Sequence, residues 1–510
     1  MKTTAILLTI IFIISSCTNE PVGNSQSEEA LHFEASVESL QQYECPEWFR
    51  DAKFGIYMHW GVYSVAEMGE WYARKLYIED TPEYAHHVKT YGHPSEFGYK
   101  DFIPLWKAEN WDPDALLALF KEAGAKYFSP CAVHHDNFDL WDSKYQRFNS
   151  VNMGPHKDIT KIWKEATLKA GLKFGVTTHL SRSESWLNVS KGSDSKGPMK
   201  GVQYDGGDPE YAELYHPVPF GDTHQRAPFN ATKEWRELWA KRIKDLIDNY
   251  QPDHLYFDCA IPFRGDDKGQ TGMDVIAHYY NNSIERYGKL SSVMCIKERP
   301  WQGLYADGVA SLDYERGKAA NIRAEPWQTD DSMGPWGYRK GADYMSADAT
   351  IDKLIDIVSK NGNMLLNVPI KADGTLDEET TNILKDIGTW LKVNGEAIYG
   401  TRPWYMFGEG KTNEIPHHVI ESPYTFRDIR YTTKGDTLYA LVLDWPNNGR
   451  EVIMEFLAPG NARVGSVENV TLIGHEGELE WRQYGDGLEV KFPEEKPCEF
   501  AYALKINFKE

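Results

Sequence analysis

The run Leu255-Tyr256-Phe257-Asp258-Cys259-Ala260 ends in a carboxylate, Asp258, flanked by small residues that leave room for a substrate. An Asp at such a place also serves as a helix N-cap or a turn former, so it implies chemistry only if partners are at hand. Leu312-Asp313-Tyr314-Glu315-Arg316-Gly317 and Glu325-Pro326-Trp327-Gln328-Thr329-Asp330-Asp331-Ser332 offer candidate second carboxylates in Glu315 and Glu325, with Arg316, a candidate substrate contact, and Arg323 beside them. Surface ion pairs in a charged loop are the plainer reading of that stretch. An Asp and a Glu facing each other across a sugar-sized, aromatic-walled pocket are what glycosidic cleavage requires. One attacks the anomeric carbon or activates water, and the other protonates the leaving oxygen.

Three more apolar runs end in histidine. Phe54-Gly55-Ile56-Tyr57-Met58 leads to His59-Trp60-Gly61, with Glu70-Trp71 shortly after; Cys131-Ala132-Val133 leads to His134-His135; and Thr177-Thr178 leads to His179. Adjacent residues of a strand face opposite ways, so a metal shared by His134 and His135 is disfavoured unless the strand has already ended. Hydrogen bonding to ligand hydroxyls is the gentler demand and the preferred reading, and for His179 a core histidine satisfied by its neighbours stands beside it. The cysteines beyond Cys17 are Cys45, Cys131, Cys259, Cys295 and Cys498, with no C-x-x-C spacing, so neither zinc nor another cofactor is expected.

The elements that must hold these residues repeat a helix followed by a short apolar run. Residues 113–123 read as a helix before a strand at 125–129, 159–170 before 175–178, and 233–250 before 254–257. Such units predict parallel strands with helices outside, an α/β fold of the (β/α)8-like TIM-barrel kind with room for irregular units. In that fold the function sits at the C-terminal strand ends, where the residues above fall. After Asn394-Gly395 the texture changes to alternating segments with Gly and Pro turns, which predicts an antiparallel β-sandwich. The expected division is a lipoprotein signal peptide at 1–17, a polar tether at 18–44, a catalytic barrel at 45–397 and a β-sandwich at 398–510. Ile14-Ser15-Ser16-Cys17 after an apolar run resembles a bacterial lipobox, implying lipid on Cys17 and export to the periplasm or an outer-membrane anchor. The long insert at 185–222 is expected to frame subsites.

Composition narrows the partners. Over 510 residues, 55 Lys and Arg stand against 76 Asp and Glu, a net charge of −21, which argues against nucleic acid. Aromatic residues make up 13%, a surplus that suits stacking on sugar rings as well as it suits core filling.

Read in order, these motifs resemble the α-L-fucosidases of glycoside hydrolase family 29. The resemblance runs through Trp48-Phe49-Arg50-Asp51-Ala52-Lys53-Phe54-Gly55-Ile56-Tyr57-Met58-His59-Trp60-Gly61, His134-His135-Asp136-Asn137-Phe138-Asp139, Pro252-Asp253-His254-Leu255-Tyr256-Phe257-Asp258 and Gly362-Asn363-Met364-Leu365-Leu366-Asn367-Val368, and covers about Cys45 to the C-terminus. It implies a retaining, metal-independent exo-α-L-fucosidase acting on fucosylated glycans. Asp258 is the implied nucleophile; His59, Glu70, Trp71, His134 and His135 are the implied fucose contacts, and Tyr256 an aromatic wall. Two departures follow. Gln328 stands where many members carry a Glu, so the acid/base is expected to be Glu315, or else Glu325, with a raised pKa. Thr177-Thr178-His179 replaces a Tyr-Tyr pair and brings forward His179 as a contact. An α-galactosidase of the same scaffold, or a glycan-binding lipoprotein without catalysis, are the competing readings.

Overall fold

The computed structural model describes residues 31–217, 229–299, 303–410, 422–447, 451–461 and 463–509. The proposed signal peptide with Cys17, and residues 218–222 of the long insert, lie outside them.

Eight parallel strands close into a barrel in chain order: β1 (Phe54–Met58), β2 (Tyr127–Val133), β3 (Lys173–Thr178), β4 (His254–Phe257), β5 (Val293–Lys297), β6 (Ser311–Asp313), β7 (Trp327–Ser332) and β8 (Gly362–Asn367), with β8 pairing back on β1. The helices between them carry their own start signals. Asp112 accepts from the Ala115 amide ahead of Pro113–Glu122, and Asp158, Thr232 and Ser346 cap Ile159–Lys169, Lys233–Tyr250 and Ala347–Ser359 in the same way. Each helix turns an apolar face to the outside of the strands and builds the main core there.

Inside the barrel the side chains are large and mixed in polarity: Tyr57, Tyr127, Tyr256, His254 and Gln328 are all fully buried. Small strand residues make this possible. A Cβ on Gly55 would lie 2.3 Å from the Tyr127 ring, so β1 must carry glycine where that ring crosses the interior. The N-terminal end is plugged by the helix Glu47–Ala52, whose Phe49 packs 5.6 Å from Tyr127 and stacks 5.8 Å from His254. The interior therefore opens toward the C-terminal strand ends.

After the helix Glu378–Asn394, two antiparallel sheets follow. One holds β9 (Arg402–Glu409), β10 (Ile429–Lys434), β11 (Thr437–Val442), β13 (Val467–Leu472) and β16 (Tyr502–Phe508); the other holds β12 (Glu451–Met454), β14 (Glu480–Tyr484) and β15 (Gly487–Lys491). Their facing apolar residues form a second core around Tyr431, Leu438, Val490 and Leu504. The barrel and sheets join through Arg430, which reaches Asp356 of the barrel helix Ala347–Ser359 at 2.6 Å, and through Trp390 Nε1, which donates to the Ala501 carbonyl at 2.7 Å.

One strand reading needs correction. β2 runs on to Val133 through Pro130, past the expected end at Ser129, because both its neighbours continue to pair with it there. It thus ends immediately before His134, and both histidines stand in the loop beyond it. The five described cysteines are all free thiols.

Candidate active site

A narrow pocket lies at the open end of the barrel. His59 directly follows β1, His134 and His135 follow β2, His179 follows β3 and Asp258 follows β4; Lys297 closes β5, Glu315 lies two residues past β6 and Asp330 lies in β7. Loops add Glu70 and Trp71 behind β1, Arg182 behind β3 and Trp336 behind β7. A larger open groove, about 1010 Å³ between residues 342–348 and 378–386, contains none of these strand-end residues and no basic side chain, so it is not where the chemistry is assembled.

Asp258 is the electrostatic centre. Its Oδ1 lies 2.8 Å from Lys297 Nζ, and its Oδ2 receives Arg182 Nη2 at 2.9 Å and His179 Nδ1 at 3.1 Å. Burial alone raises a carboxyl, but Lys297 and His179 outweigh it and hold Asp258 well below the usual carboxylate range. At neutral pH it is an anion.

The other histidines are kept neutral. Burial, helped by His179, lowers His59 well below its ordinary value, and burial with His135 and His179 does the same to His134. Burial and Arg182 take His135 down to about 3. Neutral His135 donates through Nδ1 to the His179 carbonyl and accepts from Arg182 Nε at 3.0 Å. His59 Nδ1 donates to Asn367 Oδ1 at 2.9 Å, which leaves its Nε2 for a ligand. Ring nitrogens of His59, His134 and His179 lie within 4.8 Å of one another, close enough to hold a cation. Arg182 and Lys297 already bring two cations to Asp258 beside them, and the neutral rings of His59 and His134 fit hydroxyl groups. The walls are aromatic: Trp336 lies 5.5 Å from His59, and Trp71 lies under the Arg182 guanidinium at 5.8 Å.

Glu315 is a quarter exposed at the mouth, and its Oε2 meets both Lys297 Nζ and, at 2.8 Å, Arg299 Nη1. Because Asp258 and Glu315 hold the same ammonium at 2.8 Å and 2.5 Å, their nearest oxygens are no more than about 5.3 Å apart. Retaining glycosidases set their two carboxyl groups about 5 to 5.5 Å apart. Burial and Asp258 push the Glu315 carboxyl up, but Lys297 and Arg299 win and it lies below its ordinary value. The expectation of a raised pKa is therefore corrected: two cations outweigh one anion and partial burial.

Other expectations also change. Glu325 is exposed and lies two residues ahead of the first residue of β7, at the N-terminal end of the barrel, so it does not reach the pocket. Tyr256 is buried one layer below Asp258 on the same face of β4, with its hydroxyl between Asp313 and Asp330, and forms no wall. Arg316 stacks behind Trp336 at 4.5 Å and donates to the Gly334 carbonyl, supporting that wall from outside the pocket. Gln328 is buried too, donating to Asp313 Oδ1 at 2.9 Å and accepting from His254 Nε2 at 2.9 Å. A glutamate there would stand in the barrel interior, below the pocket. Arg182, Lys297, Asp330 and Trp336 are lining residues that the sequence reading did not select. Lys297 carried the signal used elsewhere, a polar residue closing the apolar run Val293-Met294-Cys295-Ile296.

A family model described as alpha-L-fucosidase matches residues 22–396, and one for the alpha-L-fucosidase C-terminal domain matches residues 423–507. The chain belongs to the alpha-L-fucosidase family. Among relatives in this fucosidase family, the plasma alpha-L-fucosidase of Homo sapiens is 29% identical over 505 residues, covering 94% of each chain. The tissue alpha-L-fucosidase of Mus musculus is 28% identical over 489 residues, covering 93% of this chain and 94% of its own. The Thermotoga maritima alpha-fucosidase solved in complex with fucose superposes with a TM-score of 0.70 at 29% identity, over 93% of this chain and all of that one. A structure of the same enzyme with a mechanism-based inhibitor gives a TM-score of 0.71 at 28% identity.

Proposed function

We propose that this fucosidase releases terminal α-linked L-fucose from glycans with retention, through a glycosyl-enzyme on Asp258. The carrying observation is the pair of carboxylates on Lys297: one anion deep in the pocket and one at its mouth, both held on a single ammonium and so close enough to act on the same glycosidic bond by double displacement. In the first half, Asp258 forms a bond to the anomeric carbon as the bond to the leaving oxygen breaks, and Glu315 gives that oxygen its proton. In the second, Glu315 takes a proton from water, which displaces Asp258. Lys297 acts on both carboxylates at once: it keeps Asp258 ionised, and it makes the Glu315 proton a strongly acidic one.

His59, His134, His179 and Glu70 supply the hydrogen-bonding set for the fucose hydroxyls, and Trp71 and Trp336 the apolar faces. Burial raises the Glu70 carboxyl, while the Gly337 amide donates to its Oε2 at 2.9 Å. A pocket plugged from below admits one terminal sugar, which supports exo action. For Cys17, lipidation and export are proposed from the sequence alone; Cys17→Ala then moves the protein from the membrane to the soluble fraction.

The deciding experiment is hydrolysis of aryl α-L-fucosides by wild type and Glu315→Ala, with and without azide. Glu315 as acid/base requires that the variant lose activity mainly on poor leaving groups and regain it with azide as a fucosyl azide of retained configuration. An inert wild type that still binds fucose overturns the catalytic reading in favour of glycan binding. Faster turnover of an α-galactoside overturns the sugar assignment.

A further inference from the structure

At the floor of the pocket, two carboxylates share one phenol. Asp313 closes β6 and Asp330 lies in β7, and both are sealed from solvent. Tyr256 Oη lies 3.2 Å from Asp313 Oδ2 and 3.1 Å from Asp330 Oδ2. A phenol has a single proton to donate, so it serves one of these oxygens, and the other must bring a proton of its own. The remaining partners decide which. Asp330 Oδ2 also accepts from Tyr57 Oη at 3.2 Å and stands 3.7 Å from the Lys297 ammonium. Asp313 Oδ1 accepts from Gln328 Nε2 and from the Asp330 amide at 3.0 Å, so the oxygen left to carry a proton is its Oδ2, which faces Tyr256 and the Asp330 carboxylate. Of the two, Asp330 is the one within ion-pair distance of the Lys297 ammonium. Burial and the Asp330 charge push the Asp313 carboxyl well above the usual range.

We propose that Asp313 stores a proton which it donates to Tyr256, that Tyr256 in turn donates to Asp330, and that Asp330 is thereby a fixed anion under Lys297 that governs how tightly Lys297 holds Glu315. This rests on Glu315 being the acid/base, as above. Lys297 is faced by Asp258 from β4, by Asp313 and Glu315 from β6 and its loop, and by Asp330 from β7; Arg299 also touches Glu315, and Arg182, His135 and His179 touch Asp258. Tyr57 of β1 and Cys295 of β5, whose phenol and thiol are both pushed up, complete the surroundings. Three carboxylates therefore divide one ammonium. Taking the charge from Asp330 leaves more of the Lys297 field on Glu315, which then stays ionised to lower pH. Asp313 and Asp330 are positioning residues in this scheme.

The test is the pH dependence of kcat/KM on a phenyl α-L-fucoside, where protonation of the leaving oxygen is needed. Asp330→Asn moves the alkaline limb to lower pH by about one unit. Asp313→Asn, whose amide keeps the neutral charge and can still donate to Tyr256, moves it by less than a third of that. A second readout needs no activity: infrared spectra of wild type carrying 13C-labelled aspartate contain a protonated-carboxyl band at neutral pH that Asp313→Asn removes. Asp136 and Asp352, also buried and pushed up, absorb nearby, so the difference between the two proteins is read. Should Asp313→Asn not fold, Tyr256→Phe shifts the frequency of the same band. An unmoved limb in Asp330→Asn, equal shifts in the two variants, or a band untouched by both substitutions overturns the proposal. Failure of azide rescue in Glu315→Ala speaks instead against the acid/base, so the two failures read apart.

Discussion

Two buried carboxylates in this molecule are each surrounded by cations, one at either end of the barrel wall. Asp258 has Lys297 at 2.8 Å and Arg182 at 2.9 Å, with the His179 ring at 3.1 Å; Asp356, in the helix Ala347–Ser359, has Arg430 at 2.6 Å, Lys360 at 2.8 Å and Lys318 at 3.1 Å. Both are held below the ordinary carboxylate range against burial, Asp356 to about 2. Cation density alone thus does not mark a catalytic group. Asp356 is completely covered and ties the barrel to β10, with nothing beside it that a substrate could replace. Asp258 opens on a pocket of neutral imidazoles and aromatic faces, and its Lys297 is shared with a second carboxylate at the mouth.

That contrast can be broken most sharply at Asp258. Asp258→Asn is expected to cost at least about 10⁴-fold in kcat, within the range seen when one member of a catalytic unit is removed. Its urea midpoint should move little, because Lys297 keeps Glu315 and Asp330 as partners and Arg182 keeps His135. Asp356→Asn should do the reverse. Removing one partner of a buried ion cluster destabilises by about 3–5 kcal/mol, and urea unfolding followed by tryptophan fluorescence measures it, while kcat per folded molecule stays within about twofold of wild type. If Asp356→Asn abolishes turnover in folded protein, the two ends of the barrel are coupled and the contrast fails.

The next effect sharpens what distinguishes Asp258. The proposed double displacement needs Asp258 ionised and Glu315 protonated, and both carboxyls lie below their ordinary values. The working window therefore lies on the acid side, and kcat/KM for poor leaving groups should fall about tenfold per unit as pH rises above it. An optimum near pH 8 in that profile would remove Glu315 from the acid role.

The smallest effect concerns Asp356 and acid. Its folded pKa, about 2, lies below the unfolded carboxylate value of about 3.9, so its contribution is present above the latter and disappears as pH falls through the former. The gap in unfolding free energy between wild type and Asp356→Asn should shrink by about 2 kcal/mol across that interval, as urea titrations at a series of pH values would show.

Much of the site is legible in the chain because a barrel gathers whatever follows each apolar run. His59, His134, His135, His179 and Asp258 sit at four such places and meet in one pocket. Arg182 and Trp336 come from loops, where no periodicity announces direction. Asp330 hides in a strand that reads as a charged loop, because Trp327–Ser332 packs its polar residues inward on the Asp313 and Tyr256 layer. Glu325 misleads for a related reason: composition does not say which end of that strand a glutamate precedes. Depth is equally invisible. Tyr256 and Asp258 share a face by alternation, yet one layer separates a sealed phenol from a reactive carboxylate. The sandwich emerged from strand alternation and turns, while the Arg430 to Asp356 tie that fastens it is a long-range contact no local pattern records.

The Phe49 plug under the barrel has a kinetic meaning. A pocket with a sealed floor is a cul-de-sac, so everything that enters by the mouth must leave by it, in reverse order of depth. The aglycone departs first, water or another alcohol follows it in, and the freed sugar leaves last. Free fucose therefore competes with incoming substrate for the same empty pocket, and turnover slows as its product accumulates.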